Sequence, residues 1–218
     1  MNTMAKFVGS IALVLVVLGV VYTTGPKPSP AKWDPELPAV PSDLEELESL
    51  IEKSELALGN VKPDNQSRII WTAKGKKKTP YSIVYLHGFT ASYGEGDPVH
   101  RELAQYYGCN LYVPRLSRHG LDDEDAFVEL TPQSYVESVR QALAVGRALG
   151  DKVIVVGTST GGLFALALAA SYPQDIEALV LYSPLIDFVN PSAYILAEPW
   201  GLQLGRFVMG SDYATWAN

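Results

Sequence analysis

The chain has 218 residues, a formal net charge of −7 at pH 7 and an isoelectric point near 5.0. This acidic balance argues against a nucleic-acid partner, which binds a basic surface. The single cysteine, Cys109, excludes an internal disulfide. The sequence has no metal-ligand spacing and no phosphate-binding loop, so we expect neither a metal nor a cofactor.

The N-terminal segment, residues 1–24, contains an uncharged apolar run from Phe7 to Tyr22. A helix of this length spans roughly 24–27 Å, close to the ~30 Å hydrocarbon core of a bilayer. Such a run is typical of a signal anchor or of a cleaved secretory signal. A poor cleavage site before Pro26 favours the anchor. We therefore expect a single-pass transmembrane helix, with the following domain outside the cytoplasm.

Residues 25–41 are rich in proline, which predicts an extended spacer. In residues 42–60, apolar and acidic side chains recur at helical spacing, which predicts an amphipathic helix that packs on the domain. Ser42, with Glu45 three residues later, has the pattern of a helix N-cap with a capping box. Residues 61–218 form the predicted principal domain.

Short apolar runs in this domain predict the strands of a mostly parallel sheet flanked by helices, which is an α/β architecture. An Ala- and Leu-rich run directly after the fourth strand predicts a helix. The predicted strands are Ile69–Trp71, Ile83–Leu86, Asn110–Val113, Val153–Val156 and Leu179–Tyr182.

The fourth strand and its helix are joined by Gly157-Thr158-Ser159-Thr160-Gly161. A strand, G-x-S-x-G and a helix form a nucleophile elbow, a tight turn that lifts the serine hydroxyl clear of the sheet. The N-terminus of the helix directs free N–H groups at any oxyanion formed there. A second motif, His87-Gly88-Phe89, follows the second strand.

On these two motifs the chain resembles the α/β-hydrolase family, in its serine esterase and monoacylglycerol-lipase-like branch, from about Ile69 to Met209. The resemblance implies that Ser159 is the nucleophile. It implies that the backbone amides of Phe89 and Thr160 form the oxyanion hole. It also implies that His87 is structural.

The rest of a catalytic triad is harder to find. In this family the chain order is nucleophile, acid, histidine, but His87, His100 and His119 all precede Ser159. His119 matches a structural Arg-Gly-His-Gly type turn of related esterases. Asp187, after the fifth strand, is a candidate catalytic acid. The alternative is that Asp187 is a loop residue that leads into a lid, of which residues 190–209 are the beginning.

The family sheet continues after the lid, so we expect an incomplete fold, truncated at the C-terminus, with its last strands and helices missing. A chain without a catalytic histidine is expected to be inactive alone. The predicted function is a serine hydrolase of carboxylic esters, with a small-molecule or lipid ester as substrate and the membrane as partner through the N-terminal helix. The alternative is a non-catalytic pseudo-hydrolase that serves as a binding or scaffold protein.

Overall fold

The structure, a computed structural model, describes residues 3–72 and 75–209. The final residues of the predicted principal domain, 210–218, lie outside the described residues. Internal contacts divide the chain into two compact units, one from Pro30 to Ile186 and one from the residues up to Ser29 together with those from Asp187 onward. The helices are α1 (Thr3–Thr23), α2 (Leu44–Leu58), α3 (Val99–Tyr107), α4 (Pro132–Leu149), α5 (Thr160–Ser171) and α6 (Gly201–Met209). The strands are β1 (Arg68–Ile70), β2 (Thr79–Leu86), β3 (Asn110–Val113), β4 (Gly150–Thr158) and β5 (Ile176–Tyr182).

The strands form a single sheet in the order β1-β3-β2-β4-β5. β2 is parallel to β3 and β4, and β4 is parallel to β5, whereas β1 pairs with β3 in the antiparallel sense. β1 and β5 are therefore the edges of the sheet within the described residues. Each predicted strand falls on an observed one, and the mostly parallel sheet flanked by helices is confirmed.

Apolar cores lie on both faces of the sheet because successive side chains of a strand point to opposite faces. In β2, Val84 and Leu86 face a core shared with α2, α4 and α5. Ile83 and Tyr85 face a smaller core that includes Ala104 of α3. Burying an aliphatic side chain of this kind stabilises the fold by about 1.5–3 kcal/mol. The two cores fix the strands whose carboxyl ends carry the candidate site.

Helix α2 begins one residue later than the capping pattern predicts. Its N-cap is Asp43, whose carboxylate accepts a hydrogen bond from the Glu46 amide at 2.8 Å. Aspartate and serine are comparable N-cap residues, so the local pattern does not choose between neighbours. Leu47 and Ile51 bury the inner face of the helix in the core.

The second half of the predicted spacer forms neither a helix nor a strand, and it packs on the domain. The Tyr172 hydroxyl donates to the Asp34 carbonyl at 2.5 Å, and the buried Arg140 guanidinium donates to the Glu36 carbonyl. Apolar side chains interspersed with the prolines also pack against the core: Trp33, Leu37 and Val40. These contacts explain why residues 30–41 lie on the domain.

The other unit contains α1, a 3-10 helix at Pro191–Ala197, and α6. Within it, the indole N–H of Trp200 donates to the Val21 carbonyl at 2.8 Å. Of the helices in the described residues, none combines the length and hydropathy that crossing a bilayer requires. The transmembrane helix predicted for residues 1–24 is therefore unsupported.

Candidate active site

Ser159 occupies a sharp turn between β4 and α5. Its backbone has φ 52° and ψ −115°, a conformation that a non-glycine residue adopts at a cost of about 1–3 kcal/mol. The Ser159 amide donates to the Tyr182 carbonyl at 3.0 Å, and the Ser159 carbonyl accepts from the amides of Leu163 and Leu185. These bonds, from the elbow helix and from the end of β5, hold the strained turn in place.

Close glycine contacts make the turn possible. A Cβ on Gly161 would lie 2.0 Å from the carbonyl oxygen of Leu86, at the end of β2. A Cβ on Gly157 would lie 2.5 Å from the Gly161 carbonyl oxygen. The backbones of β2, β4 and α5 therefore approach one another more closely than any side chain would allow. This is the structural reason for the glycines of the G-x-S-x-G sequence.

The Ser159 side chain is half-buried, and its hydroxyl has no hydrogen-bond partner among the described residues. The amide of Thr160 opens α5 and has no acceptor within the helix. The serine oxygen therefore stands at a helix N-terminus, where partial positive charge favours a developing anion.

The His87-Gly88-Phe89 segment lies beside this serine. A Cβ on Gly88 would be 3.4 Å from the Ser159 Cβ, so the two backbones are neighbours. The Phe89 amide, next in the chain, donates no hydrogen bond to a described residue. The Phe89 ring packs edge-on to the His119 ring, with ring centroids 5.7 Å apart. The structure thus brings together Ser159, Thr160 and the Phe89 segment, while the oxyanion role of the two amides stays a prediction.

His87 is fully buried, and both of its ring nitrogens are engaged. Nδ1 donates to the Gly88 carbonyl at 2.9 Å, and Nε2 accepts from the Leu116 amide at 3.2 Å. Burial lowers the pKa of His87 to about 4, because the imidazolium would lose its hydration. His87 is thus a neutral clamp between the loops that follow β2 and β3, in agreement with its predicted structural role.

The loop after β3 is held in turn by a buried ion pair. Arg115 Nε donates to the Glu55 carboxylate of α2 at 2.8 Å, and the two side chains are 11% and 7% exposed. Arg115 Nη1 also donates to the His119 carbonyl at 3.1 Å. Ser67 bridges the pair, because its hydroxyl donates to Glu55 and accepts from the Arg115 amide. Helix α2 therefore helps to position the Leu116 amide that binds His87.

None of the three histidines is placed as a catalytic base. His119 is buried, with Nδ1 donating to the Ser117 carbonyl at 2.8 Å. His100 is buried and stacks on Tyr85, with ring centroids 4.6 Å apart. Burial lowers the pKa of both imidazoles. The structure therefore offers no base from these side chains, as the chain order predicts.

Asp187 belongs to the other compact unit. Its carboxylate accepts hydrogen bonds from the Phe188 amide, at 2.6 Å, and from the Tyr194 hydroxyl. Its assignment as the catalytic acid stays a prediction, as does the lid role of residues 190–209.

Glu95, which the sequence analysis did not single out, contacts the candidate site directly. Its Oε2 accepts from the Gly88 amide at 2.7 Å and from the Tyr85 hydroxyl at 3.1 Å. The Tyr85 hydroxyl is also 3.0 Å from Oγ1 of Thr158, the residue before Ser159. Burial raises the pKa of Tyr85, which keeps this hydroxyl protonated as a donor. No local pattern distinguishes Glu95 from other loop carboxylates, so only the fold reveals the contact.

Comparisons with known proteins identify the family and the fold. Residues 83–217 match the model of the alpha/beta hydrolase family. A pimeloyl-[acyl-carrier protein] methyl ester esterase of Xanthomonas campestris is 33% identical over 132 residues, which are 61% of this chain and 40% of that protein. An AB hydrolase superfamily protein of Gibberella zeae is 29% identical over 140 residues, 62% of this chain and 47% of that protein. The chain thus spans less than half the length of these relatives.

A solved structure of the metagenome-derived lipolytic enzymes LipS and LipT resembles the fold of this chain. Its TM-score is 0.54 at 18% sequence identity, over 62% of this chain and 52% of that one. At this identity the likeness bears on the fold alone.

Proposed function

The chain belongs to the alpha/beta hydrolase family, and on that premise we propose that it is a serine hydrolase of carboxylic esters with Ser159 as the nucleophile. One observation carries the proposal. Ser159 is the residue at φ 52° between β4 and α5, with a hydroxyl that has no partner in the described residues. The esterase activity named for the similar Xanthomonas campestris protein supports an ester as the substrate class.

In the proposed reaction, Ser159 Oγ attacks the ester carbonyl carbon while its proton passes to a general base. The carbonyl oxygen becomes an anion, and the amides of Phe89 and Thr160 donate hydrogen bonds to it. Collapse of this tetrahedral intermediate releases the alcohol and leaves an acyl group on Ser159. The protonated base gives its proton to the departing alcohol. It then takes a proton from water, which attacks the acyl carbon, and collapse of the second tetrahedral intermediate releases the acid while the proton returns to Ser159 Oγ. We assign the base to none of the three buried histidines, and Asp187 stays the candidate acid.

The test compares Ser159→Ala with Ser171→Ala in the full gene product. Ser171 lies exposed at the far end of the same helix and serves as the matched control. We expect Ser159→Ala to lower ester turnover by at least about 10³-fold, because the nucleophile acts as one unit with its base. Labelling by a fluorophosphonate probe should disappear with it. Retained labelling in Ser159→Ala would contradict the proposal.

The second candidate is a non-catalytic protein that keeps the hydrolase shell for binding. It is favoured by a specific observation, because all three histidines are buried and His87 has both nitrogens engaged. If the folded, full gene product neither hydrolyses esters nor reacts with the fluorophosphonate, this candidate replaces the enzyme. An extracytoplasmic location of the domain and any association with a membrane stay predictions, which protease treatment of intact cells would test.

A further inference from the structure

Glu95 places a fixed carboxylate beside the proposed nucleophile. The point where a Gly88 Cβ would stand is 2.9 Å from Glu95 Oε1 and 3.4 Å from the Ser159 Cβ. Oε2 is held by the Gly88 amide and the Tyr85 hydroxyl, so the carboxylate is anchored. Oε1 has no hydrogen-bond partner among the described residues. One oxygen therefore fixes the group, and the other is available to a ligand.

Glu95 also lines a cavity of about 530 Å³ next to the loop that follows Phe89. The charged side chains that line this cavity are Lys62, Glu95, Arg118, Asp123 and Glu124. Arg118 is already paired, since its guanidinium lies 2.8 Å from Glu129 and 3.8 Å from Asp123. The residues that line the cavity carry a negative formal charge. The positive charge of Arg118 is compensated by Asp123 and Glu129.

An aromatic ring lines the same cavity. Phe127 is one of the residues that line the cavity. The centroid of the Phe127 ring is 5.1 Å from the centroid of the Phe89 ring. Both phenylalanines are partly exposed. An aromatic face attracts a cation through its ring quadrupole, and quaternary ammonium groups are recognised in this way. A cavity lined by a carboxylate and by an exposed aromatic ring therefore has the chemistry of an ammonium site.

We propose that Glu95 is a specificity-determining residue that directs the Ser159 site to esters carrying an ammonium group. This inference rests on the proposed function and names the substrate class for it. The ammonium group binds between Glu95 Oε1 and the Phe127 ring while the ester carbonyl reaches Ser159. A carboxylate-bearing ester would meet the like charge of Glu95 and be disfavoured.

The first test measures kcat/KM for three esters of one acid: the choline ester, its uncharged 3,3-dimethylbutyl isostere and the 3-carboxypropyl ester. Two charges several ångströms apart at a protein surface interact strongly enough to change such a ratio by about tenfold or more at low salt. We therefore expect Glu95→Gln to lower the choline-to-isostere ratio by about tenfold and to raise the relative rate of the carboxylate ester. The amide oxygen of the introduced glutamine can still accept from the Gly88 amide, so the fold is retained.

Glu102→Gln is the matched control, because Glu102 is an exposed glutamate on α3 that does not line the cavity. It removes the same charge and should leave the ratio unchanged. An unchanged ratio in Glu95→Gln, or an equal fall in Glu102→Gln, overturns the inference. Loss of turnover for all three esters in Ser159→Ala tests the proposed function separately.

A second measurement needs no turnover. Choline alone, titrated into the isotope-labelled protein, should shift the Gly88 amide resonance, because that amide donates to Glu95. The uncharged 3,3-dimethylbutanol should not shift it, and Glu95→Gln should abolish the choline response. Equal shifts with choline and 3,3-dimethylbutanol, or no shift with either, would overturn the ammonium site even if the serine proved catalytic.

Discussion

The buried ion pair of Glu55 and Arg115 allows the loss of free energy of unfolding in a variant to be predicted from the structure. Glu55→Gln keeps the size of the side chain and an oxygen that can accept from Ser67, but it removes the charge facing Arg115. The guanidinium would then stay buried with the His119 carbonyl as its remaining acceptor. Removing one partner of a buried pair costs about 3–5 kcal/mol. We expect Glu55→Gln to lower the free energy of unfolding by about 3 kcal/mol, the lower end of this range, because Arg115 retains some contact with water.

The control is an ion pair of almost the same length at the surface. Lys152 Nζ and Glu177 Oε1 are 2.9 Å apart, but the two side chains are 51% and 44% exposed. Exposed pairs contribute about 0–1 kcal/mol, so Glu177→Gln should cost no more than this. The measurement is urea unfolding at pH 7, followed by circular dichroism and tryptophan fluorescence.

A double variant separates the lost attraction from the unpaired charge. Replacing Arg115 by Met in the Glu55→Gln background should recover part of the stability, because no charge is then left buried. If Glu55→Gln costs no more than Glu177→Gln, the reasoning from burial is refuted. Recovery in the double variant would be absent in that case.

Two further predictions concern the clamp and the elbow. Gly161→Ala should lower the free energy of unfolding by about 1–3 kcal/mol or more, because its Cβ would meet the Leu86 carbonyl. Gly94→Ala should be close to neutral in the same urea assay, because its Cβ would make only an ordinary contact, 3.8 Å from the Ser92 hydroxyl oxygen. The lowered pKa of His87, about 4, means that the unfolded state binds the proton first as the pH falls below about 6.5. The contribution of neutral His87 to the free energy of unfolding should thus be complete above pH 6.5 and fall towards pH 4 by about 1.4 kcal/mol per pH unit. His87→Gln should reduce this slope of stability against pH. An equal slope in both proteins would refute the neutral clamp.

The strands and the elbow could be predicted because their signals are local. Val153–Val156 is a β-branched run, and the glycines around Ser159 follow within a few residues. The cap of α2 shows the precision of such signals. Ser42 and Asp43 are both good caps by residue type, and the structure shows that the Asp43 carboxylate accepts from the Glu46 amide.

The contacts that position the site could not be predicted because they join residues far apart in the chain. Glu55 meets Arg115 across 60 residues, and the Leu116 amide meets His87 across 29. Each carboxylate or imidazole looks, in sequence, like an ordinary surface or core residue. Glu95 is the clearest example, because its hydrogen bond to Gly88 depends on how a glycine-rich loop folds back on β2.

The open edge of β5 has a consequence for handling the protein. Within the described residues β5 pairs with β4 along one side, so its other side presents free amides and carbonyls. Several of its side chains, unlike those of the inner strands, are only partly buried. An uncovered strand of this kind is a template for pairing with another chain. Samples of this chain should accordingly self-associate as concentration rises, and a charged substitution on the β5 edge is the first solubilising change to make.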